Sequence, residues 1–312
     1  MKTACIVMSS AGAQRECRPV PKTENFQWYV EQVAEGEVHG HALRETLVSG
    51  RTHFQSYAIV LSPLFGKMLV LDGDTQSAAL DEYIYHEALV HPACVVCGGA
   101  PKRALILGGG EGASMRELLA VPGMKRVTMV DIDGEVVEMC KRHLPEWSAG
   151  AFEDGRAEVI IGDAKKYIFE SREHFDVIIG DLTEPLRDSP SADLHSPEMY
   201  RAIQARLAPG GVYGLQASMC GPHNLSVHAL MVDRLRDVFA RVTPYSVYVP
   251  AFDTEWGFAL CRGQGGVDPA AESGALAAGS YANTIATLQY YDAESHRRMF
   301  NLPRYMRDSY RP

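Results

Sequence analysis

The sequence predicts an α/β protein with a doubly wound, Rossmann-like sheet preceded by a small β domain. Three observations lead to this fold class. After Pro101 the chain alternates strand-like runs, glycine turns and helix-like runs. Before Asp81, two short apolar runs are joined by a tight connection, and an acidic, helix-like segment follows them. Strands that alternate with helices indicate a parallel sheet that is buried on both faces.

The N-terminal part of the chain has the weaker pattern. Residues 1 to about 50 show little periodicity, and the first apolar cluster, at 26–30, suggests a helix. From Gln55 the sequence reads SYAIVLS, a turn at 63–66 and then KMLVLDG, which predicts two paired β-strands. We divide the chain into an N-terminal β-strand domain with a linking helix, residues 1–97, and a Rossmann-like domain, residues 98–312.

Local patterns also predict the linking helix and the strands of the second domain. The segment DEYIYHEALVH (81–91) opens with acidic residues, which suit a helix N-terminus, and spaces its apolar residues at helical period. The small-residue segment 263–280 is predicted to be a surface loop. The strand-like runs, in chain order, are RALILGGG, RVTMVDID, AEVIIGD, FDVIIGD, GVYGLQA, YSVYVP and WGFALC.

Composition and charge disfavour several classes of protein. The 39 acidic and 30 basic side chains give a formal net charge of −9, which disfavours nucleic acid as a partner and suits a cationic ligand. No apolar run reaches the roughly 18 residues of a membrane span, and none near the start is long enough for a secretory signal. Cysteines in such a chain are expected to be reduced thiols. We therefore expect a cytoplasmic protein.

A glycine turn follows the first strand of the second domain, at the edge where open α/β sheets bind ligands. Gly108, Gly110 and Ala113 fit the dinucleotide pattern G-x-G-x-x-G/A, so a nicotinamide enzyme is one interpretation. Glu111 argues against it, because a carboxylate in the turn repels pyrophosphate and also the carboxylate of intact S-adenosylmethionine. The same carboxylate would attract an ammonium group.

Acids at the ends of the next two strands predict a nucleoside site. Asp131 lies about twenty residues past the glycines, where an acid accepts hydrogen bonds from ribose hydroxyls. A solvated carboxylate at a strand end is the alternative. Asp163, followed by Ala164, can accept a hydrogen bond from an adenine amino group or cap the next helix, and both roles stay open. Asp133 is predicted to cap the helix that follows its strand.

Two carboxylates three residues apart follow the strand FDVIIGD. Asp181 ends the strand, and Glu184 precedes Pro185. An amine nucleophile has a pKa of about 10, so at neutral pH it attacks carbon only after a base has removed its proton. Such a pair of carboxylates can hold one cation and deprotonate another. Asp181, nearest the strand, is the candidate base.

From about Gln55 to Met219 the sequence resembles the spermidine synthase family, with a fainter likeness toward the C-terminus. The matching motifs occur in the family's order and spacing. They are FQSY, FGKMLVLDGDTQS, DEYIYHEALVHP, LILGGGEGASMREL, MVDIDGEVVE, GDAKKY, IIGDLTEP and APGGVYGLQA. The GGGEG turn, DLTEP and VYVPAFDTEWGFALC are most similar to the branch that contains thermospermine synthases and the agmatine or triamine aminopropyltransferases.

The resemblance implies a fold of the methyltransferase type and a transfer of the aminopropyl group of decarboxylated S-adenosylmethionine to an amine, releasing methylthioadenosine. It implies no metal and no cofactor beyond this co-substrate. Spermidine is the expected acceptor, giving thermospermine, with putrescine and agmatine as alternatives. Because the family's N-terminal β domains commonly pair, the resemblance implies a homodimer or homotetramer.

The resemblance also implies roles for single residues. Asp181 becomes the proton acceptor, and Glu111 holds the amine of the aminopropyl arm. The loop at 186–196 is expected to act as a lid. The thioadenosine part of the donor is held by Gln55, Gly108, Gly110, Asp131, Asp163 and Ala164. The acceptor channel is lined by Gln76, His86 and Glu184.

The chain departs from the family pattern next to the candidate base. Where the family has D-[ST]-[ST]-D-P, this chain has DLTEP, so Leu182 replaces a hydroxyl residue and Glu184 replaces an aspartate. The Gly-Pro a few residues further on is replaced by Leu186-Arg187-Asp188, which alters that wall of the thioadenosine pocket.

Two other classes of function fit part of the pattern. A methyltransferase shares the sheet, the glycines and Asp131, but it binds the methionyl carboxylate and has no need of Asp181 together with Glu111. A non-catalytic polyamine-binding regulator would use the acidic site, but it has no need of a base at Asp181. Both alternatives therefore explain less of the sequence than aminopropyl transfer does.

Overall fold

The structure is a computed structural model that describes residues 26–183, 192–263, 269 and 281–311. Glu184 lies outside these residues, as does most of the predicted surface loop. Of the predicted lid, the described part is a short 3-10 helix, Ala192–His195, and the residue that follows it.

Two small antiparallel sheets form the N-terminal part of the structure. The predicted pair of strands, SYAIVLS and KMLVLDG, is confirmed and lies in the second of these sheets. The first sheet consists of β1 (Gln27–Ala34) and β2 (Glu37–Leu43). The second consists of β3 (Glu45–Arg51), β4 (Ser56–Ser62), β5 (Gly66–Leu71) and β6 (Asp74–Ala78).

The helix suggested at 26–30 is wrong, because this segment leads into β1. The chain returns as β2 after a turn in which Gly36 has a φ of +80°. Trp28 and Val30 are both more than half exposed, at 52% and 55%. A short helix in water needs a packed face to be stable, whereas antiparallel pairing with β2 satisfies the backbone of this run directly.

A seven-stranded sheet forms the second part, in the order β12-β13-β11-β10-β7-β8-β9. Among the described strands, β13 runs antiparallel to its neighbours and the others run parallel to one another. The order reverses between β7 and β10, so the predicted doubly wound fold is confirmed. The strands are β7 (Arg103–Gly108), β8 (Arg126–Asp131), β9 (Ala157–Ile161), β10 (Phe175–Asp181), β11 (Leu207–Met219), β12 (Arg241–Val249) and β13 (Thr254–Arg262).

Helices cover both faces of this sheet, because the central strands are apolar on both sides. In β7, Ala104 and Ile106 pack into one core while Leu105 and Leu107 pack into the other. No helix in the described ranges is both long and apolar enough to cross a membrane. The helices are α1 (Glu82–Val96), α2 (Ala113–Leu119), α3 (Gly134–His143), α4 (Pro145–Ser148), α5 (Ala164–Glu170), α6 (Pro197–Arg206), α7 (Leu225–Arg236), α8 (Tyr281–Ile285), α9 (Ala293–Phe300) and α10 (Arg304–Arg307).

The linking helix α1 is confirmed and extends beyond the predicted end at 91. It is buried along residues 85–96, as expected of a helix that is apolar on most sides and packed inside a larger protein. Glu87 ties it to the C-terminal segment by accepting hydrogen bonds from three successive backbone N–H groups, at 289–291. The first turns of α1 therefore hold a fixed position beside the sheet.

Candidate active site

The glycine turn between β7 and α2 touches the end of β10. Gly108 and Gly109 have φ values of +82° and +76°, a region that glycine adopts without strain. A Cβ on Gly108 would collide with the carbonyl oxygen of Asp181, and the N–H of Gly109 donates to that oxygen at 3.0 Å. Residues larger than glycine would therefore push the turn away from Asp181.

The carboxylate of Asp181 is held by two neutral hydroxyls. Tyr85 of α1 donates to Oδ1 at 3.1 Å, and Ser114 of α2 donates to Oδ2 at 2.6 Å. Neutral donors orient a carboxylate without adding the positive charge that would strongly oppose its protonation. The geometry around Asp181 is therefore compatible with the predicted role as a proton acceptor.

Glu111 is also buried at the glycine turn, but its partners are different. One carboxylate oxygen accepts a hydrogen bond from Ser77 at 2.6 Å, and the other lies 2.6 Å from Nε2 of His86. The hydroxyl of Ser77 in turn accepts from the indole N–H of Trp147 at 2.9 Å. Through Ser77, strand β6 of the N-terminal sheets contributes directly to the site.

His86 continues this contact into a chain of alternating charges. Its Nδ1 lies 2.9 Å from Glu82, which accepts two hydrogen bonds of 3.0 Å from Arg116. Arg116 also pairs with Glu117 at 2.7 Å. Glu117 in turn lies 2.8 Å from Nε2 of His91, so carboxylates and basic side chains alternate along the whole chain of contacts.

The charge state of His86 follows from its neighbours. Burial by itself lowers the pKa of an imidazole, because it disfavours the charged form. The carboxylates of Glu111 and Glu82 lie on opposite sides of the ring and outweigh burial, so they hold the pKa of His86 well above its ordinary value. Both ring nitrogens lie within hydrogen-bond distance of a carboxylate, an arrangement that favours the imidazolium form, in which both donate.

Asp131 lies at the end of β8, beside the glycine turn. Its Oδ1 accepts a hydrogen bond from the backbone N–H of Asp133 at 2.9 Å, and a Cβ on Gly110 would approach Oδ2 to 2.8 Å. Burial, together with the nearby charges of Asp133 and Asp181, raises the pKa of Asp131 to about 6. At neutral pH its carboxylate is ionised and can accept hydrogen bonds from ligand hydroxyls.

Gln55 reaches the same edge of the sheet from the loop before β4. Its side-chain amide donates to Oδ2 of Asp133 at 3.0 Å, and the hydroxyl of Thr52 donates to the same oxygen at 2.6 Å. The other oxygen of Asp133 caps α3 by accepting from the N–H of Val136, which confirms the predicted cap. Contact of Gln55 with thioadenosine stays a prediction, but its position beside the end of β8 suits that role.

Asp163 caps α5, so the capping alternative is confirmed. Its Oδ1 accepts from the N–H groups of Lys165 and Lys166 at 2.7 and 3.4 Å. Because both bonds use Oδ1, capping does not compete with a hydrogen bond from adenine to Oδ2, which stays a prediction. Ala164, the first residue of α5, is buried against the sheet.

A bulge occurs in β6 at Gln76, a residue predicted to line the acceptor channel. Leu69 pairs with Ser77 and Val70 pairs with Thr75, so Gln76 has no opposite residue in β5. Its side-chain amide donates to the carbonyl oxygen of residue 74 at 3.1 Å. Contacts of Gln76 and His86 with an acceptor stay predictions, and Glu184 lies outside the described residues.

An aromatic group consisting of Tyr85, Phe252, Trp256 and Phe258 lies beside Asp181. The ring of Tyr85 contacts the other three with centroids 6.2, 6.4 and 5.4 Å away. The sequence did not predict a role for this group, nor for Ser77 and Ser114. The run WGFALC did predict a strand, but no local signal shows that its aromatic residues meet α1.

Comparison with known proteins extends this description. Residues 82–269 match the spermine/spermidine synthase domain, and residues 27–78 match the spermidine synthase tetramerisation domain. The chain belongs to the spermine/spermidine synthase family. The resemblance inferred from its motifs is thus confirmed. The first matched range includes all of α1, and the second covers β1 to β6.

Individual members of the spermine/spermidine synthase family are similar over most of the chain. A polyamine aminopropyltransferase of Aeropyrum pernix is 40% identical over 91% of this chain and 90% of the relative. Another polyamine aminopropyltransferase, from a Synechococcus species, is 44% identical over 76% of this chain and 77% of the relative. A spermidine synthase solved in complex with the transition state analogue AdoDATO has a TM-score of 0.83 and 26% identity, covering 92% of this chain and 95% of that one.

Proposed function

We propose that the protein is a polyamine aminopropyltransferase that uses decarboxylated S-adenosylmethionine as the donor. The observation that carries this proposal is the presence of two unlike carboxylates at one glycine turn. Asp181 is held by neutral hydroxyls, whereas Glu111 lies between Ser77 and His86 in a buried chain of alternating charges. A base and an ammonium site side by side are what aminopropyl transfer requires. Membership of the spermine/spermidine synthase family supports the same reaction.

The donor would lie along the carboxyl ends of β7, β8 and β9. Asp131 would accept hydrogen bonds from the ribose hydroxyls, while Gln55 and Asp163 would lie near the adenine ring. The ammonium group of the aminopropyl arm would reach Glu111, whose carboxylate would attract it. The decarboxylated donor suits this site better than intact S-adenosylmethionine, whose carboxylate would be repelled there.

The chemical step is a displacement at the carbon next to the sulfonium. Asp181 accepts a proton from the attacking amine, and the nitrogen lone pair forms the new N–C bond. The C–S bond breaks, its electron pair passes to sulfur, and methylthioadenosine leaves as a neutral thioether. The protein contributes alignment of the two substrates and carboxylates that compensate their positive charges.

The acceptor we propose is spermidine, which would give thermospermine. Its methylene chain can pack along Trp256, the partly exposed member of the aromatic group, near Tyr85 and Asp181. The motifs DLTEP and VYVPAFDTEWGFALC support a triamine acceptor through their likeness to the thermospermine synthase branch. Putrescine and agmatine are the alternative acceptors.

We further propose that the protein forms a homodimer or homotetramer through its N-terminal strands. The hairpin β1–β2 exposes Trp28, Val30 and Val38, at 52%, 55% and 60%, and residues 27–78 match a tetramerisation domain. An exposed apolar strand surface of this kind is commonly covered by another chain. Light scattering at micromolar concentration should give a multiple of the 34.3 kDa chain mass, and a monomer would contradict the proposal.

An end-point assay tests the reaction and the acceptor together. The protein is incubated with decarboxylated S-adenosylmethionine and, in parallel, spermidine, putrescine, agmatine, cadaverine and norspermidine, and the products are separated by chromatography. Thermospermine and methylthioadenosine in equal amounts are expected with spermidine. A different preferred amine would correct the acceptor alone. Absence of methylthioadenosine with every amine, together with a methylated product from intact S-adenosylmethionine, would replace the proposal by methyl transfer.

A further inference from the structure

Ser114 is a buried hydroxyl that contacts the candidate base from the donor side of the site. It is 0% exposed in α2, and its Oγ donates to Oδ2 of Asp181 at 2.6 Å. The glycine turn presses on the same oxygen, since a Cβ on Gly109 would lie 3.2 Å from it. Oδ2 of Asp181 therefore points into the protein, against the turn and α2.

The other oxygen of Asp181 has different surroundings. Its hydrogen-bond donor is the hydroxyl of Tyr85, whose ring belongs to the aromatic group proposed to receive the acceptor. A carboxylate that is fixed at Oδ2 can present Oδ1 in one orientation only. Of the two oxygens, Oδ1 is thus the one directed toward an incoming amine.

We propose that Ser114 is a positioning residue for aminopropyl transfer, because it fixes Asp181 so that Oδ1 receives the proton of the attacking amine. This inference rests on the proposed function. When Oδ1 takes the proton, Oδ2 becomes the carbonyl oxygen of a carboxylic acid and still accepts the hydrogen bond from Ser114. Ser114 therefore need not move in that step.

A single hydroxyl can matter this much because few other groups fix the carboxylate. The ionisable groups that face Asp181 among the described residues are Tyr85 from α1 and Asp131 from β8. The charge of Asp131 repels the carboxylate and cannot hold it in place. Without Ser114, the carboxylate of Asp181 could rotate about its side-chain torsions. The fraction of molecules in which Oδ1 is directed toward the attacking amine would then fall.

The test is the pair Ser114→Ala and Ser114→Thr, with Ser148→Ala as the matched control. Ser148 is another buried helical serine, whose hydroxyl bonds to a backbone carbonyl oxygen rather than to Asp181. The alanine variant should lose roughly tenfold to hundredfold in kcat, the usual effect of one hydrogen bond to a charged group. Its dissociation constant for methylthioadenosine should stay within about threefold, because that ligand does not use the base.

Two further readouts separate positioning from a purely structural role. The acidic limb of the pH profile of kcat/KM for the amine should move to higher pH in Ser114→Ala, because the lost bond stabilised the ionised carboxylate. Ser114→Thr keeps the hydroxyl and should recover most of kcat and the original limb. Ser148→Ala should show neither change. If the alanine variant fails to fold, Ser114→Cys, which keeps a side chain of similar size but a weaker donor, replaces it.

Three outcomes would overturn the role of Ser114. They are a wild-type kcat and pH profile in Ser114→Ala, a loss of methylthioadenosine binding as large as the loss in kcat, or a folded Ser114→Thr no better than the alanine variant. Each outcome is compared with a wild-type protein that shows aminopropyl transfer in the same assay. A wild-type protein without turnover in the presence of decarboxylated S-adenosylmethionine and amines would overturn the proposed function itself.

Discussion

Asp181 and Glu111 are two carboxylates at the glycine turn whose partners differ in charge. Asp181 accepts from the hydroxyls of Tyr85 and Ser114, both neutral donors. Glu111 faces the imidazolium of His86, which is itself held by Glu82. The same functional group is therefore placed in two electrostatic settings at one glycine turn.

The difference shows that hydrogen-bond and ion-pair partners can suit two identical carboxylates to different roles. A base must be able to end the reaction protonated, and a cation beside it would stabilise the ionised form and oppose that step. A group that holds an ammonium needs no such freedom, and Glu111 is fixed by His86 and Ser77 instead. If this is correct, changes at the two carboxylates should have separate effects on turnover and on donor binding.

The largest effect is expected from Asp181→Asn. The amide keeps the shape and can still accept from Ser114, but it cannot take a proton at neutral pH. We expect kcat to fall by roughly 10²- to 10⁴-fold, the range typical for loss of a general base, with methylthioadenosine binding nearly unchanged. Single-turnover and calorimetric measurements check the two parts. A variant with near-normal turnover would show that Asp181 is not the base.

A smaller and different effect is expected from Glu111→Gln. This change removes the charge that faces the donor ammonium, so we expect the KM for decarboxylated S-adenosylmethionine to rise by roughly tenfold to hundredfold. Binding of methylthioadenosine, which has no amine, should change by less than about threefold. Calorimetry with both ligands makes the comparison. Equal losses for both ligands would contradict the ammonium site and leave Glu111 with a purely structural role.

Asp131 extends the comparison to a carboxylate whose pKa is raised. Because its pKa is about 6, it is mostly protonated at pH 5 and mostly ionised at pH 7.5. If the ionised form accepts the ribose hydrogen bonds, methylthioadenosine should bind up to roughly tenfold more weakly at pH 5. Asp131→Asn should bind weakly at both pH values. Titrations at the two pH values that give the same affinity for the wild-type protein would contradict this role.

The smallest effect is expected from Asp81, a buried carboxylate that accepts a hydrogen bond from a backbone N–H. It is 2% exposed, its Oδ2 accepts from the N–H of Ala251 at 2.6 Å, and no partner for Oδ1 occurs among the described residues. Burial, opposed in part by that N–H, raises the pKa of Asp81 to about 6. Its ionisation therefore costs folding free energy.

The sign of this effect follows from linkage. A pKa that is higher in the folded state stabilises the protein at low pH, and that stability is lost as pH rises from about 4 to about 6. Asp81→Asn should therefore gain stability relative to wild type, by roughly 1–2 kcal/mol between pH 5 and pH 7.5. Urea denaturation at the two pH values measures the difference. A relative stability that does not change with pH would mean that Asp81 has an ordinary pKa.

Sequence patterns predicted the parts of the structure that depend on neighbouring residues in the chain. The glycine turn at 108–112 and the strand ends at Asp131 and Asp181 follow from the local sequence pattern of alternating strands and helices. Parallel strands then bring their carboxyl ends to one edge of the sheet. The helix at 26–30 was wrong because a short apolar run does not show whether it will pair with another strand. Ser114 and Tyr85 were missed because they reach Asp181 from two other elements.

Strand β13 separates the proposed acceptor side of the site from the proposed donor side. The donor would contact β7, β8 and β9, while Trp256 and Phe258 come from β13, which joins the sheet antiparallel to β11. Because β13 runs the opposite way, it begins where β11 ends, with Trp256 opposite Met219. The part of the proposed acceptor site that lies on β13 is therefore encoded after the residues proposed to hold the donor, in a separate stretch of chain. Exchange of the segment around Trp256 between relatives could alter the choice of amine while nucleoside recognition stays intact.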